Sequence, residues 1–232
     1  MLEMMLAVAL LLIVSGVVFS QIANVVNRYS AEESRMTAVD DTREFVDQIV
    51  RDLHQTNFPH LRMFTPTFTG SQPYSNNSIA AGLVVAGPTQ LQFEADLDGK
   101  GNGAGAGQVQ VVVYQLTKNG ALVTDLTQCP CVLQRGQELK QANTAPESQP
   151  APTFTSEVDN VINPASEPPF RFFDQFGNEV TAIPNFKSTD LNPTISKIYT
   201  IKISVTVQGP SVDPLTKVKP EVTYATTAQM NN

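Results

Sequence analysis

Two aspartates in a glycine-rich stretch are the first residues whose types and spacing could do chemistry. Asp96-Leu97-Asp98-Gly99 opens in the way many calcium loops do, with alternate carboxylates able to converge on a hard cation. Lys100 then stands where a ligand belongs, and no carboxylate closes the run that ends at Ala106-Gly107. A glycine-rich hairpin connection is the favoured reading, which leaves Asp96 and Asp98 as the only metal candidates and no cofactor expected. The same glycines do not make a phosphate loop, because the Gly-Lys-Ser/Thr ending and a following helix signal are missing. Cys129-Pro130-Cys131 holds the only two cysteines. A metal site would need further ligands, and a redox Cys-x-x-Cys has a different spacing. A one-residue disulfide ring, an intersubunit bridge and a local structural role stay open, the last being favoured. His54 and His60 have no nucleophile or carboxylate at a recognised spacing, and the neighbours Asp40 and Asp41 on a helix point apart. The expectation is a protein that is not an enzyme.

The remaining chemistry-bearing residue is Glu3, at the edge of an apolar run from Met4 to Phe19 that only Ser15 and Gly16 interrupt. A carboxylate near the centre of a bilayer costs about 2.5–3.5 kcal/mol, and less near the interface. Glu3 either snorkels to that interface or has a partner, for which the α-amino group of a neighbouring copy is the obvious candidate. The run Met4–Ile22 is about as long as a bilayer core requires. A secretory signal would begin with basic residues, and Met1–Met5 has none; a small-x-small cleavage pattern with a polar break after it is missing too.

Positioning these groups falls to a helix in two environments. Beyond Ser20 the apolar residues thin to a stripe: Ile22, Val25, Val26, Tyr29, Met36, Val39, Val46, Ile49, Val50 and Leu53. Steps of three and four place them on one helical face, and no proline intervenes before Pro59. The outer side is expected to carry Glu32, Glu33, Arg35, Asp40, Asp41, Arg43, Glu44, Asp47, Arg51 and Asp52, with Asp47/Arg51 as a helical ion pair. Asn57-Phe58-Pro59 should end the helix, so residues 1–56 form the stem, with 4–22 membrane-spanning and 23–56 amphipathic. The stripe needs a cover, which implies a sheet packed on it.

Residues 57–232 are expected to be that β-rich head. After an irregular connector at 60–82, strand-like runs occupy Gly82–Ala86, Thr89–Ala95 and Gln108–Leu116. The last sets Val109, Val111 and Val113 against Gln108, Gln110 and Val112. Asn119-Gly120 predicts a tight hairpin turn onto Ala121–Val123. The Pro-, Ser- and Thr-rich residues 141–169 read as an exposed loop or disordered insertion. Phe170–Phe173 suggests a strand entering a turn, Lys197–Gln208 alternates most cleanly, and Val218–Ala228 supplies the last strand. The fold class is α+β, a long N-terminal helix on an antiparallel sheet.

With 232 residues, a net charge of −7 and 16% charged residues, the chain lacks the basic stripe that nucleic-acid binding needs. The absence of Trp weakens a carbohydrate-stacking role as well.

The opening Met-Leu-Glu-Met-Met-Leu-Ala-Val-Ala-Leu-Leu-Leu-Ile-Val-Ser-Gly-Val-Val-Phe-Ser resembles the start of a type IV pilin or pseudopilin. Arg51-Asp52-Leu53-His54-Gln55-Thr56 is similar to the helix end of minor pilins of the PilW/PulJ group, as is the Asp-x-Asp-Gly-x-Gly hairpin. In that family a leader is removed, the new amino terminus is N-methylated, and the fifth mature residue is Glu. Glu3 matches it if the chain begins two residues inside the mature form. The resemblance implies a filament subunit drawn from an inner-membrane pool, with Glu3 paired to a neighbour's amino terminus. It implies a minor subunit that primes assembly or sits at the tip, in a type IV pilus or a type II secretion pseudopilus. Its partners would be other copies or related subunits, met through the N-terminal helix, in an extracellular or periplasmic filament. A major structural pilin is the alternative within the class, and a membrane-anchored binding module is the alternative outside it.

Overall fold

A computed structural model of the chain describes residues 2–58, 73–98, 109–190, 194–213 and 216–230. α1 (Leu2–His54) is continuous over 53 residues, about 80 Å at 1.5 Å per residue. It stops slightly before the expected Asn57-Phe58-Pro59 because the chain is captured by the sheet. Thr56 bridges Ala95, and Asn57, at φ 68°, donates its N–H to the Glu94 carbonyl at 3.2 Å.

Among the described residues, nine antiparallel strands make one sheet: β1 (Leu83–Ala86), β2 (Gln90–Ala95), β3 (Gln110–Lys118), β4 (Ala121–Leu122), β5 (Cys131–Leu139), β6 (Phe154–Val161), β7 (Phe170–Phe173), β8 (Thr200–Gln208) and β9 (Glu221–Gln229). The fold is α+β, as the sequence predicts. β2 and β3 pair from Gln90↔Gln115 to Ala95↔Gln110, so the glycine-rich stretch joins a hairpin. The β3–β4 turn has Asn119 at φ 53° and Gly120 at φ 80°. Both are left-handed, as the commonest two-residue hairpin turn demands.

β8 is the strand on which the head closes. β9 pairs with its whole length, while β7 and β6 share its other side in succession, β7 at Thr200–Ile203 and β6 at Val207. The gap between them is filled by a side chain. Asn163, 1% exposed, donates Nδ2–H to the Ser204 carbonyl and accepts the Thr206 N–H, each at 2.9 Å. It stands in for the missing backbone of a strand.

Residues 141–169 are therefore not the exposed or disordered insertion that their composition suggests, since β6 lies within them. Backbone ladders do not depend on side-chain hydrophobicity, and three residues, Phe154, Val158 and Val161, are enough to seat the strand with β5 through two irregular steps. The preceding turn is held as well: Gln149 Oε1 accepts the Gln141 N–H, and Glu147 accepts from the Ser188 N–H and hydroxyl.

The core sits between the C-terminal part of α1 and one sheet face. Phe45, Val46, Ile49 and Leu53 pack there with Leu91, Phe93, Val112, Tyr114, Leu133, Ile201 and Val205. Each fully buried aliphatic side chain contributes about 1.5–3 kcal/mol. β3 is buried on both faces rather than alternating as expected: Val112, Tyr114 and Leu116 face the helix, and Val111 and Val113 are covered on the other side. Ile79 and Ala80 of the connector are wholly buried as well, and the connector is tied down by Asn143 N–H to the Ser75 carbonyl. Residues 60–72 of the connector lie outside the described residues.

Replacing Asn163 with Ala should cost about 1–3 kcal/mol, because two buried backbone groups of β8 lose their partner. Urea unfolding of the detergent-solubilised chain, followed by tyrosine fluorescence, measures it, and an unchanged midpoint would remove the strand-surrogate role.

Candidate functional site: an uncovered helix and its anchor

Strands of nine residues span about 30 Å, so the sheet can cover only part of an 80 Å helix. Val46, Ile49 and Leu53 are wholly buried, and Ala38 and Val50 pack at the edge of the core. Burial continues to Ala31, 7% exposed, and beyond it toward the amino terminus the helix is bare: Tyr29 is 74% exposed, Phe19 71% and Met4 77%, while Met36, at 66%, lies off the covered face. A sheet does pack on the stripe, as the sequence implies, and covers its carboxy-terminal part. The helix is long and apolar enough to cross a membrane, and none of its most apolar stretch is buried within the chain. Glu3 lies exposed in its first turn.

The covered end is fixed by charge as well as by packing. Asp52 was expected on the solvated side, yet it is 9% exposed and points into the sheet. Its Oδ2 accepts the Tyr114 hydroxyl at 2.6 Å, Arg135 Nη2–H at 2.9 Å and Arg135 Nε–H at 3.2 Å. Arg135 Nε also donates to the Tyr114 oxygen, its guanidinium lies 5.9 Å from the ring centroid, and Phe45 meets the same ring edge-on at 5.5 Å. Helix, β3 and β5 are joined in one cluster. Burial, and next the Asp52 carboxylate, hold the Tyr114 hydroxyl well above the ordinary tyrosine range. The helical signal for Asp52 was present in the sequence: Phe45, Ile49, Asp52 and Thr56 recur at steps of four, three and four on one face. Which arginine would meet it, 83 residues away, was not. On the outer face the observed ion pair is Arg43 with Asp47, at 3.9 Å, rather than Asp47 with Arg51.

A second buried pair lies on the far side of the sheet. Glu94 Oε2 accepts Lys140 Nζ–H at 2.6 Å and the Ala81 N–H at 2.8 Å, while Lys140 also donates to the Ile79 carbonyl at 2.7 Å. Both side chains are wholly buried, and Glu94 Oε1 has no hydrogen-bond partner among the described residues. Burial pushes the Glu94 carboxyl up and the Lys140 ammonium down, each opposed by the other's charge. The pair pins the connector to the sheet.

The sequence candidates separate rather than converge. Asp96 is buried at the end of β2, where its N–H donates to the Phe58 carbonyl; Asp98 accepts Gln110 Nε2–H at 3.0 Å. Residues 99–108 lie outside the described residues, and no group of three or more His, Cys, Asp or Glu side chains suited to a metal occurs among the described ones. Cys129 and Cys131 are bonded to each other across a cis Cys129–Pro130 peptide, so the one-residue ring is the form adopted. His54 is exposed at the last helical turn, and His60 lies outside the described residues. A groove of about 400 Å³ between α1 and β6/β8 presents Glu33, Asp41, Glu157 and Asp159, with no histidine or cysteine among its lining residues. No protein-family model matches the chain, and no curated protein matches it in sequence.

Two outcomes test this anchor. Because the Tyr114 hydroxyl is raised in the folded chain, its contribution is fully present below the ordinary tyrosine value of about 10 and is lost as pH rises beyond it. Stability followed from pH 8 to 11.5 should fall, and Tyr114→Phe should flatten that fall while lowering stability at pH 8. Lys140→Met should cost about 3–5 kcal/mol by stranding a buried carboxylate. Adding Glu94→Gln should recover much of the loss; equal stabilities for single and double variants would refute the pairing.

Proposed function

We propose that the chain is a non-catalytic structural subunit of a type IV pilus or type II secretion pseudopilus-like filament, a minor pilin-like protein that primes assembly or sits at the tip. One observation carries the reading: the apolar half of a continuous helix is uncovered, while its other half is locked into a folded head. A side-chain surface of this kind, from Met4 to Tyr29, requires another apolar environment. The bilayer provides it first, through Met4–Ile22 in the inner membrane, with the head outside the cytoplasm. The same helices from neighbouring subunits provide it after extraction, in an extracellular or periplasmic filament.

Glu3 gives that assembly a register. In a dry bundle an uncompensated carboxylate is costly, so a neighbour's α-amino group beside it selects one axial offset among many apolar ones. The charge cluster at Asp52 supports the reading from the other end. It makes helix and head one rigid lever, so the position of the stem sets the position of the head. Partners are accordingly other copies or related pilin-like subunits, and no nucleic acid, cofactor or metal is assigned.

Glu3→Ala should leave membrane insertion intact and lower the amount of the protein in sheared surface or periplasmic filaments. Quantitative immunoblotting of sheared and membrane fractions reads this directly. Undiminished incorporation would reduce Glu3 to an interfacial residue. Absence of the unsubstituted protein from every filament fraction would favour the membrane-anchored binding module.

A further inference from the structure

Among the described residues, the stem packs on β9 more than on any other strand. The β8–β9 connection meets the stem where its cover ends. Gln208 and Pro210 share a groove with Ser30 and Ser34, and Asp213 and Pro220 share a cleft of about 90 Å³ with Arg28, Ala31 and Arg35. Ala31 is the last buried residue of the helix toward its amino terminus among the described ones. The connection is held in shape by Gly209 N–H to the Pro220 carbonyl at 2.8 Å and by Asp213 N–H to the Val218 carbonyl at 3.0 Å. The second bond gathers Val212 and Val218 at one tip. Both stay bare, at 50% and 59% exposed, next to exposed Lys217.

The level of this tip along the helix matters more than its size. Ile22, the last residue of the apolar run, lies six residues below Arg28 and nine below Ala31. At 1.5 Å per residue these are about 9 and 14 Å, against a headgroup layer about 5–8 Å deep. The helix surface stays apolar across that interval, because Val25, Val26 and Tyr29 are all exposed. Tyr29 beside Arg28 is the aromatic and basic pairing that suits the boundary between lipid and water. No spacer separates the span from the head, and the tip stands within about a side chain's length of the headgroups.

We propose that the tip of the β8–β9 connection is a second membrane contact, in which Val212 and Val218 settle among lipid headgroups and Lys217 meets their phosphates. It rests on the membrane anchor of the stem proposed above and deepens it. A single crossing helix fixes the depth of the head and leaves its tilt free; a second contact off the helix axis removes that freedom. Lipid is the occupant because the apolar surface runs on from the span to the tip, and the membrane lies at that level wherever the stem inserts. A stable protein interface buries about 800 Å² on each partner, more than two half-exposed valines and a lysine offer. Arg28 and Arg35 face Glu32 and Asp213 across the cleft, so the attachment is shallow and apolar and changes little with salt.

The chain contains no tryptophan, so a single one reports its own surroundings. Full chains carrying Val218→Trp, Phe19→Trp or Leu139→Trp are reconstituted in vesicles of mixed phosphatidylcholine and phosphatidylglycerol, with or without lipid brominated near its headgroup. Leu139 is exposed at the other end of the sheet, its partner Gln110 pairing with Ala95 beside the last turn of the stem. Val218→Trp should lose about half of its emission or more to the brominated lipid, and Leu139→Trp should lose none. Adding Val212→Asp should remove the quenching at position 218, and added salt should not. Val212→Trp repeats the reading should Val218→Trp not fold. Quenching of Phe19→Trp without quenching at the tip would overturn the second contact and leave the anchor standing. Equal quenching at 218 and 139 would overturn it too, by showing a head that lies on the surface without a defined tip. No quenching of Phe19→Trp would sink the anchor, and the proposal with it.

Discussion

An 80 Å helix cannot be covered by a sheet about 30 Å tall, and the organisation of this protein follows from that mismatch. One molecule therefore contains a helix whose two ends obey different solvents. Near Leu53 the surroundings are the interior of a folded head; near Phe19 the helix is exposed, and it is long and apolar enough there to cross a membrane. A helix that had to satisfy only the first environment would be amphipathic throughout. A helix made only for a membrane would be apolar all round and would end where the bilayer ends. This one changes from the second pattern to the first without a break, because no proline or glycine pair interrupts its hydrogen bonds.

Continuity gives the uncovered half mechanical meaning only if the covered half cannot slip. Apolar packing alone is tolerant of small rotations, since Val46, Ile49 and Leu53 could trade contacts with neighbouring aliphatic residues. The Asp52–Tyr114–Arg135 cluster is not tolerant. Three hydrogen bonds converge on one carboxylate oxygen from two different strands, and a shift of an ångström would break them together. Buried charges are poor sources of net stability but good sources of uniqueness when every partner is supplied, and here they fix helix azimuth and height. Thr56 and Asn57, bonded to β2 directly after the last turn, leave little slack between this junction and the sheet.

The head shows the same division between generic and specific contacts. Its strands are seated by alternating aliphatic residues, while its irregular places are completed by single polar side chains. Asn163 fills the break beside β8, and Lys140 carries a charge into the far face to hold the connector. β9 is where such completion stops. Among the described residues it pairs only with β8, and its Val222 and Tyr224 are partly buried.

Local pattern was enough for the elements. Periodicity and the absence of proline determined the long helix, alternation determined β8, and Asn119-Gly120 determined the β3–β4 turn, because each depends on interactions between residues close in sequence. Composition misled at 141–169, since a strand held by its neighbours' backbones needs few apolar residues of its own. Charge misled at Asp52, whose place on the buried stripe was readable but whose partners, Tyr114 and Arg135, arrive from strands 62 and 83 residues away. Only the tertiary structure decided how much of the helix the head covers and which polar groups are buried together. These depend on the twist and height of a finished sheet, a property of all nine strands at once that no local run of residues encodes.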